Sequence, residues 1–447
     1  MDEKININTN LYSRQIGTYG LNTMTKLSKL NIFIYGMRGI GVEIAKNVIL
    51  AGPKRVTIYD NNISKINDLT SNFYINEKDV SKGKRRDEAC FSNLNKLNPY
   101  VKLNIMKDES IIEHIKKKMN IEDEKYNVVI ISEFMPKHFI IELNNLCREN
   151  TIGFIYGSEL GINGFCFVDF GDNFKIYEKD NEEPKKFIIN SITKGKPGIV
   201  TLVNPINRVF LKDKDYVTFQ DINGMTELNN CSPIQIKIID KYKIEIPDTS
   251  NFSNYISSGI MIKIIKFESF EKKIEAPYDE NDGYLDQFDF GKQNTNEILH
   301  IGLLGLFNFY NKKKCLPEIN NNNDAKELTV ISKKILEEKE KQELYWVNNL
   351  RTEINNFEKL FEKTIKNLSF WSRVQISPIS SFLGGLIAQE IVKYTGKFIP
   401  IKQWVWFDFS EIVENLNNNI DRHLSGTRYD DQIAIFGNEL QKKIRRN

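Results

Sequence analysis

The chain has 447 residues, 40% hydrophobic and 27% charged, with 62 Lys and Arg against 59 Asp and Glu for a formal net charge of +3. That length allows roughly three domains, and so balanced a charge leaves no basic footprint for nucleic acid or a membrane surface. No apolar run is long enough to span a membrane, so neither nucleic acid nor membrane is expected as a partner.

The opening MDEKININTN is polar and acidic, unlike a secretory signal. Five cysteines, Cys90, Cys147, Cys166, Cys231 and Cys315, are scattered without a CxxC pair or a histidine at metal spacing. They read as buried thiols of a reducing compartment, with no metal site. The runs Asn320–Asn323 and Asn417–Asn419 read as flexible loops.

In chain order, NIFIYG from Asn31 is a short apolar run, a buried strand ending in glycine. GVEIAKNVILAG carries apolar residues at helical spacing and stops on Gly52-Pro53, and RVTIYD follows as a second strand. This is a βαβ unit, the start of a doubly wound sheet. A helix through FSNLNKLN, strands at KLNIM and NVVIIS, a helix at IIELNNLCREN and a strand at IGFIYG continue it. From Phe174 the pattern alternates, as in GIVTLV, DYVTFQDI, IQIKIIDKYKIEI and GIMIKIIKF, which predicts an all-β module. Residues 285–370 turn helical, through LHIGLLGLFNFY and AKELTVISKKILEEKEKQ, and predict a small bundle. SPISSFLGGLIAQEIVKYTG then gives a helix and QWVWFDF a strand, so the chain leaves its first domain, makes two insertions and returns.

A dinucleotide fingerprint G-x-G-x-x-G across 36–41 would need glycine at 36, 38 and 41, but Arg38 holds the second position. That glycine lets the backbone approach a pyrophosphate with no Cβ between. Two readings follow: an ordinary NAD or ATP site, or, as we favour, a scaffold that kept the fold and lost the pocket. Asp60, which ends the second strand, either faces a ribose or serves no ligand.

An internal repeat adds to this. Tyr12-Ser13-Arg14-Gln15-Ile16 precedes the first strand, and Tyr429-Asp430-Asp431-Gln432-Ile433 lies near the C-terminus. Gly20 and Gly437 follow at the same spacing, then Lys26-Leu27 and Lys443-Ile444. The copies differ at Arg14 and Asp431. A pseudo-dimer cut at its midpoint explains the pattern; a chance match of so few positions is the alternative.

LYSRQIGTYG, GMRGIGVEIAKNVILAG, DLTSNFY, KPGIVTL, INGMTELN, DTSNFSNYISSGI, GGLIAQEIVK, KFIPIKQWVWFD and RYDDQIAIFG occur in order over nearly the whole chain. They resemble the N-terminal, non-adenylating half of ubiquitin-activating enzymes. The resemblance implies a Rossmann-like, ThiF/MoeB-like α/β fold with an inserted all-β module and an inserted helical bundle. Its boundaries are an inactive adenylation domain, first part, over 1–172, and the first catalytic-cysteine half-domain over 173–263. A four-helix bundle covers 264–372, the second part of the inactive domain 373–415, and a crossover into the active adenylation domain 416–447.

In that family the other half adenylates the ubiquitin C-terminus with Mg-ATP and passes it to a cysteine as a thioester. The resemblance therefore implies a ligase that uses ATP and magnesium, both bound by the active half, and no cofactor on this one. Its implied partners are ubiquitin, the active half and ubiquitin-conjugating enzymes, in cytoplasm and nucleus. Against the active motif, Asn62 stands at the second acidic position and Ser71-Asn72 where Arg-Gln belong. Arg86 matches the phosphate lysine at best, and no magnesium aspartate is evident around Ser132–Phe134. No catalytic residue is expected here, and Cys231 reads as structural because CSPIQIKI lacks a nearby cation. Arg14 matches an arginine that reaches across to the ATP of the active half; the alternative is a tether for the N-terminus. Other readings are a free-standing partner subunit of a heterodimer that activates a ubiquitin-like protein, a ubiquitin-binding module, and an NAD oxidoreductase, which Arg38 disfavours.

Overall fold

The computed structural model describes residues 7–107, 110–176, 187–206, 211–229, 231–278, 292, 295–348, 350–414 and 420–446. The 417–419 run lies outside them. Two compact units emerge. One holds 26–169, 269–391 and 401–447; the other holds 1–25, 170–268 and 392–400.

The first unit is built on a seven-stranded sheet. Its strands are β1 (Asn31–Tyr35), β2 (Arg55–Tyr59), β3 (Lys102–Ile105), β4 (Val128–Ile131), β5 (Gly153–Leu160), β6 (Asn163–Asp169) and the late strand Trp404–Asp408. β3, β2, β1, β4 and β5 are parallel neighbours, and β6 and the late strand close that edge antiparallel. IFI of β1 and VVII of β4 are unbroken apolar runs because a central parallel strand is covered on both faces. β1 lies between β2 and β4, which makes it the point where the strand order reverses. Tyr35 pairs with both Tyr59 and Ile131, so residues 36, 60 and 132 leave the sheet together at its carboxyl edge. Open α/β sheets take ligands at such a crevice.

QWVWFDF does rejoin the sheet, with Trp404 opposite Phe167 and Trp406 opposite Phe165. The hairpin between β5 and β6 is an addition to the sequence reading, which saw only IGFIYG. Helices Thr295–Lys313, Asn322–Lys341 and Phe357–Trp371 pack on one another. Here the loop reading of Asn320–Asn323 is corrected. Asn321 caps a helix, its side chain accepting from the amides of Asn323 and Asp324. A capping asparagine and a loop asparagine look alike in sequence.

The second unit carries an antiparallel sheet, as its alternating sequence predicts. Its strands are β7 (Phe174–Lys175), β8 (Phe187–Ile192), β9 (Gly198–Leu202), β10 (Tyr216–Gln220), β11 (Ile234–Gln235), β12 (Lys237–Ile238), β13 (Lys243–Ile246) and β14 (Ile260–Ile265). They run in the order β11-β10-β14-β8-β9-β13-β12, with β7 also on β14. Val200, Phe219, Met225, Ile244 and Met261 centre its core.

Candidate functional site

Where β1 ends, Gly36 takes a φ of +94° and the chain turns into the helix Gly39–Ala51. A Cβ at Gly41 would stand 1.9 Å from the Gly36 carbonyl oxygen. The first and third glycines are therefore demanded by the turn and by close helix–strand packing, whatever is bound. Position 38, with φ −79°, needs no glycine.

Arg38 folds into the crevice. Its guanidinium donates to the Arg373 carbonyl at 3.1 Å and faces Asp68 at 3.5 Å and Asp431 at 3.4 Å. Asp60, wholly buried, accepts from the Met37 amide at 2.9 Å and from the Asn62 amide and side chain at 3.0 and 2.9 Å. It also faces Arg86 at 3.5 Å. These engagements give Asp60 a structural task that needs no ligand, the second of its two readings. Asn72, at the glutamine position of the active motif, donates to the Met37 carbonyl at 2.7 Å and secures the loop.

Arg86 donates to Asp68 at 2.9 Å. Burial disfavours its cation, but Glu133, Asp60 and Asp68 outweigh that and hold its pKa above the ordinary range. Three carboxyls of the crevice are likewise raised, which for an acid favours the neutral form. Burial raises Glu133 to about 7 against the pull of Arg38 and Arg86. It raises Asp431 to about 6 against Arg38 and the Gln375 amide, and Glu159 to about 8 against the Ser380 hydroxyl and the Ile376 amide. Phosphoryl transfer needs cations and a metal carboxylate free to gather around phosphate. Both arginines here already face aspartates, and added anionic charge would meet further carboxyls.

The repeat is visible in the backbone. Helix Ser13–Tyr19 ends on Gly20 at φ 82° and ψ 156°, and a second short helix, Leu21–Leu27, follows. Helix Asp430–Arg446 is broken at Gly437, at φ 80° and ψ 165°. That region of φ/ψ space is essentially closed to other residues. At matching positions the surroundings differ. Asp431 is 1% exposed and lies in the crevice, whereas Arg14 is exposed. Ala434 and Ile435 are buried, whereas Gly17 and Thr18 are exposed.

Cys90, Cys147 and Cys166 are buried and Cys231 is half-buried, but Cys315 is exposed, which corrects the reading of all five thiols as buried. Burial pushes the Cys231 thiol up, as expected of a structural cysteine. The sequence did not show that Glu133, Glu159 and Asp431 converge on the crevice. Its one pointer was the repeat register that sets Asp431 against Arg14.

Two family models match: the ubiquitin-activating enzyme E1 FCCH domain over residues 195–264, and the ubiquitin-activating enzyme E1 four-helix bundle over 261–336. Ubiquitin-like modifier-activating enzyme 1 of Oryctolagus cuniculus is 34% identical over 446 residues, 98% of this chain and 40% of that protein. The Dictyostelium discoideum enzyme of the same name is 35% identical over 453 residues, 99% of this chain and 41% of its own length. Among solved structures, E. coli MccB with succinimide overlaps 39% of this chain and 53% of its own at 20% identity and a TM-score of 0.33. The chain thus spans about two fifths of the length of the curated relatives it matches. Along nearly its whole length it belongs to the ubiquitin-activating enzyme family, of whose members it corresponds to the N-terminal part.

Proposed function

We propose that this chain is the scaffold half of a ubiquitin-activating enzyme, which adenylates the ubiquitin C-terminus with ATP and passes it to a cysteine as a thioester. The half described here supports the adenylating half, helps to bind ubiquitin and lends Arg14 to the ATP. Magnesium and ATP belong to the adenylating half, conjugating enzymes meet the whole protein, and the cytoplasm and nucleus are where it acts. Alone, the chain is inactive.

The observation that carries this is the position of Asp431. The second repeat copy enters the crevice of this half through that residue, at the end of β1 where a nucleotide would sit. A pseudo-twofold relation sends the first copy, through Arg14, into the equivalent crevice of the other half. There the planar guanidinium fork holds phosphate charge at any physiological pH.

The test is single-turnover adenylation by the full-length enzyme. Arg14→Ala slows it by about 10²-fold, as for other phosphate cations acting from a neighbouring domain. Transfer from preformed adenylate to the cysteine stays nearly intact, and Arg14→Lys restores only part of the rate. The isolated chain gives no ubiquitin-dependent ATP–pyrophosphate exchange. Exchange by the isolated chain, or a normal adenylation rate for Arg14→Ala, overturns the assignment.

A further inference from the structure

The helix Asp430–Arg446 and the turn before it are pinned to the sheet unit at several points. The Trp371 indole donates to the Ala434 carbonyl at 2.9 Å. Arg428 donates to the Leu69 carbonyl at 2.9 Å, and the Thr70 hydroxyl donates to the Arg428 carbonyl. Asp431 goes deeper. It accepts from the Gln375 amide at 3.0 Å and faces Arg38, the residue that replaced the second glycine of the fingerprint.

Stability alone does not account for that contact. A buried ion pair gains little over apolar residues of the same volume. Among the described residues this one also leaves Oδ1 of Asp431 without a hydrogen-bond donor, and Oδ1 of Asp68 with only the Arg38 guanidinium at 3.5 Å. The well-attested use of a buried ion pair is to fix register, because a misplaced charge costs more than a misplaced methyl. Asp431 also gives the guanidinium of Arg38, the N-cap residue of the helix Gly39–Ala51, what a phosphate would give it, a carboxyl oxygen at 3.4 Å.

We propose that this crevice has become a socket for the chain itself. Arg38 and Asp431 are positioning residues that seat the second repeat copy, and with it the adenylating half, so that Arg14 meets the nucleotide. The inference rests on the scaffold-half reading above.

The experiment is single-turnover adenylation by the full-length enzyme, with thermal melting alongside. Arg38→Ala and Asp431→Asn are each expected to slow adenylation about 10-fold, the effect of a small misplacement of reacting groups. In an Arg14→Ala background they slow it little further, because the groups act through one another. Arg38→Lys, which keeps a cation facing Asp431 and Asp68 but loses the planar fork, loses less than Arg38→Ala. Additive losses, or no loss from Arg38→Ala and Asp431→Asn while Arg14→Ala is slow, overturn the socket and leave the Arg14 assignment standing. If Arg14→Ala is normal, the underlying reading fails. Hydrogen exchange on the chain described here then judges the socket by itself. Faster exchange confined to residues 430–446 in Asp431→Asn supports it, and unchanged exchange overturns it. If Arg38→Ala and Asp431→Asn unfold, Arg38→Lys decides: slowed adenylation at an unchanged melting temperature supports the socket, and a normal rate, or a loss explained by unfolding, overturns it.

Discussion

Glu159 is 2% exposed, with one carboxyl oxygen on the Ile376 amide at 2.6 Å and the other on the Ser380 hydroxyl. Its folded-state pKa of about 8 stands above the ordinary 4.5 because burial penalises the charge. Below about pH 4.5 the folded and unfolded chains both hold the proton, so nothing is gained or lost. As pH rises from there to about 8, the unfolded chain ionises while the folded one must keep its proton, and stability falls. Glu159→Gln keeps an acceptor for Ile376 and a donor for Ser380 without a charge. Its melting temperature should therefore fall less than that of the parent between pH 5.5 and 8.5, by roughly 5 °C. Parallel declines would show that the carboxyl is charged at ordinary pH. At this scale the sequence was readable where one residue breaks a local pattern, as Arg38 does. It was not readable where distant residues converge. Asp431 meets Arg38 across 393 positions, and nothing beside Asp60 foretold that the Met37 and Asn62 amides would claim it.

Among the elements, the two helix–glycine–helix copies offer a controlled comparison. Both Gly20 and Gly437 occupy a backbone conformation that other residues reach only at a cost of about 1–3 kcal/mol. Their surroundings differ. A Cβ at Gly437 would stand 1.9 Å from Ile420 Cγ2, while among the described residues one at Gly20 would find nothing nearer than Lys397 Nζ at 4.0 Å. Gly20→Ala should cost the strain alone, and Gly437→Ala the strain plus about 1–3 kcal/mol of overpacking. Denaturant unfolding of the two variants checks the order; equal losses would show that Ile420 yields freely. Periodicity revealed the βαβ strands and the alternating strands of the second unit because each has one burial pattern along its length. It missed the turn between β5 and β6, since the polar residues Ser158, Glu159 and Asn163 are buried in the strands instead of marking a loop, and the reversal rests on Gly161 at φ +72°. The capped start at Asn321 was hidden for the opposite reason: a run of asparagines has no periodicity to read.

For the whole molecule, the second unit poses the question of what an inserted β module contributes to an enzyme of this family. The inserted stretch of that unit, 170–268, enters and leaves at one place. The Phe267 amide donates to the Gly171 carbonyl at 3.1 Å, and the rings of Phe170 and Phe267 lie 5.5 Å apart. The sheet between those points has its own core, and Ile188, Ile239 and Ile256 stay exposed on its surface. A module with its own core and adjacent ends can be removed without pulling strands from the seven-stranded sheet. In the full-length enzyme, residues 172–266 replaced by a short Gly/Ser linker should still fold and bind ATP. If the module forms part of the ubiquitin-binding surface, as its FCCH match invites us to propose, the ubiquitin KM should rise about 10-fold, equivalent to ~1.4 kcal/mol of lost contact. The adenylation rate at saturating ubiquitin should change little, because a contact made equally before and during the reaction affects binding alone. An unchanged ubiquitin KM would remove the module from ubiquitin binding. A fall in the saturating rate with no change in KM would assign it to the chemical step instead.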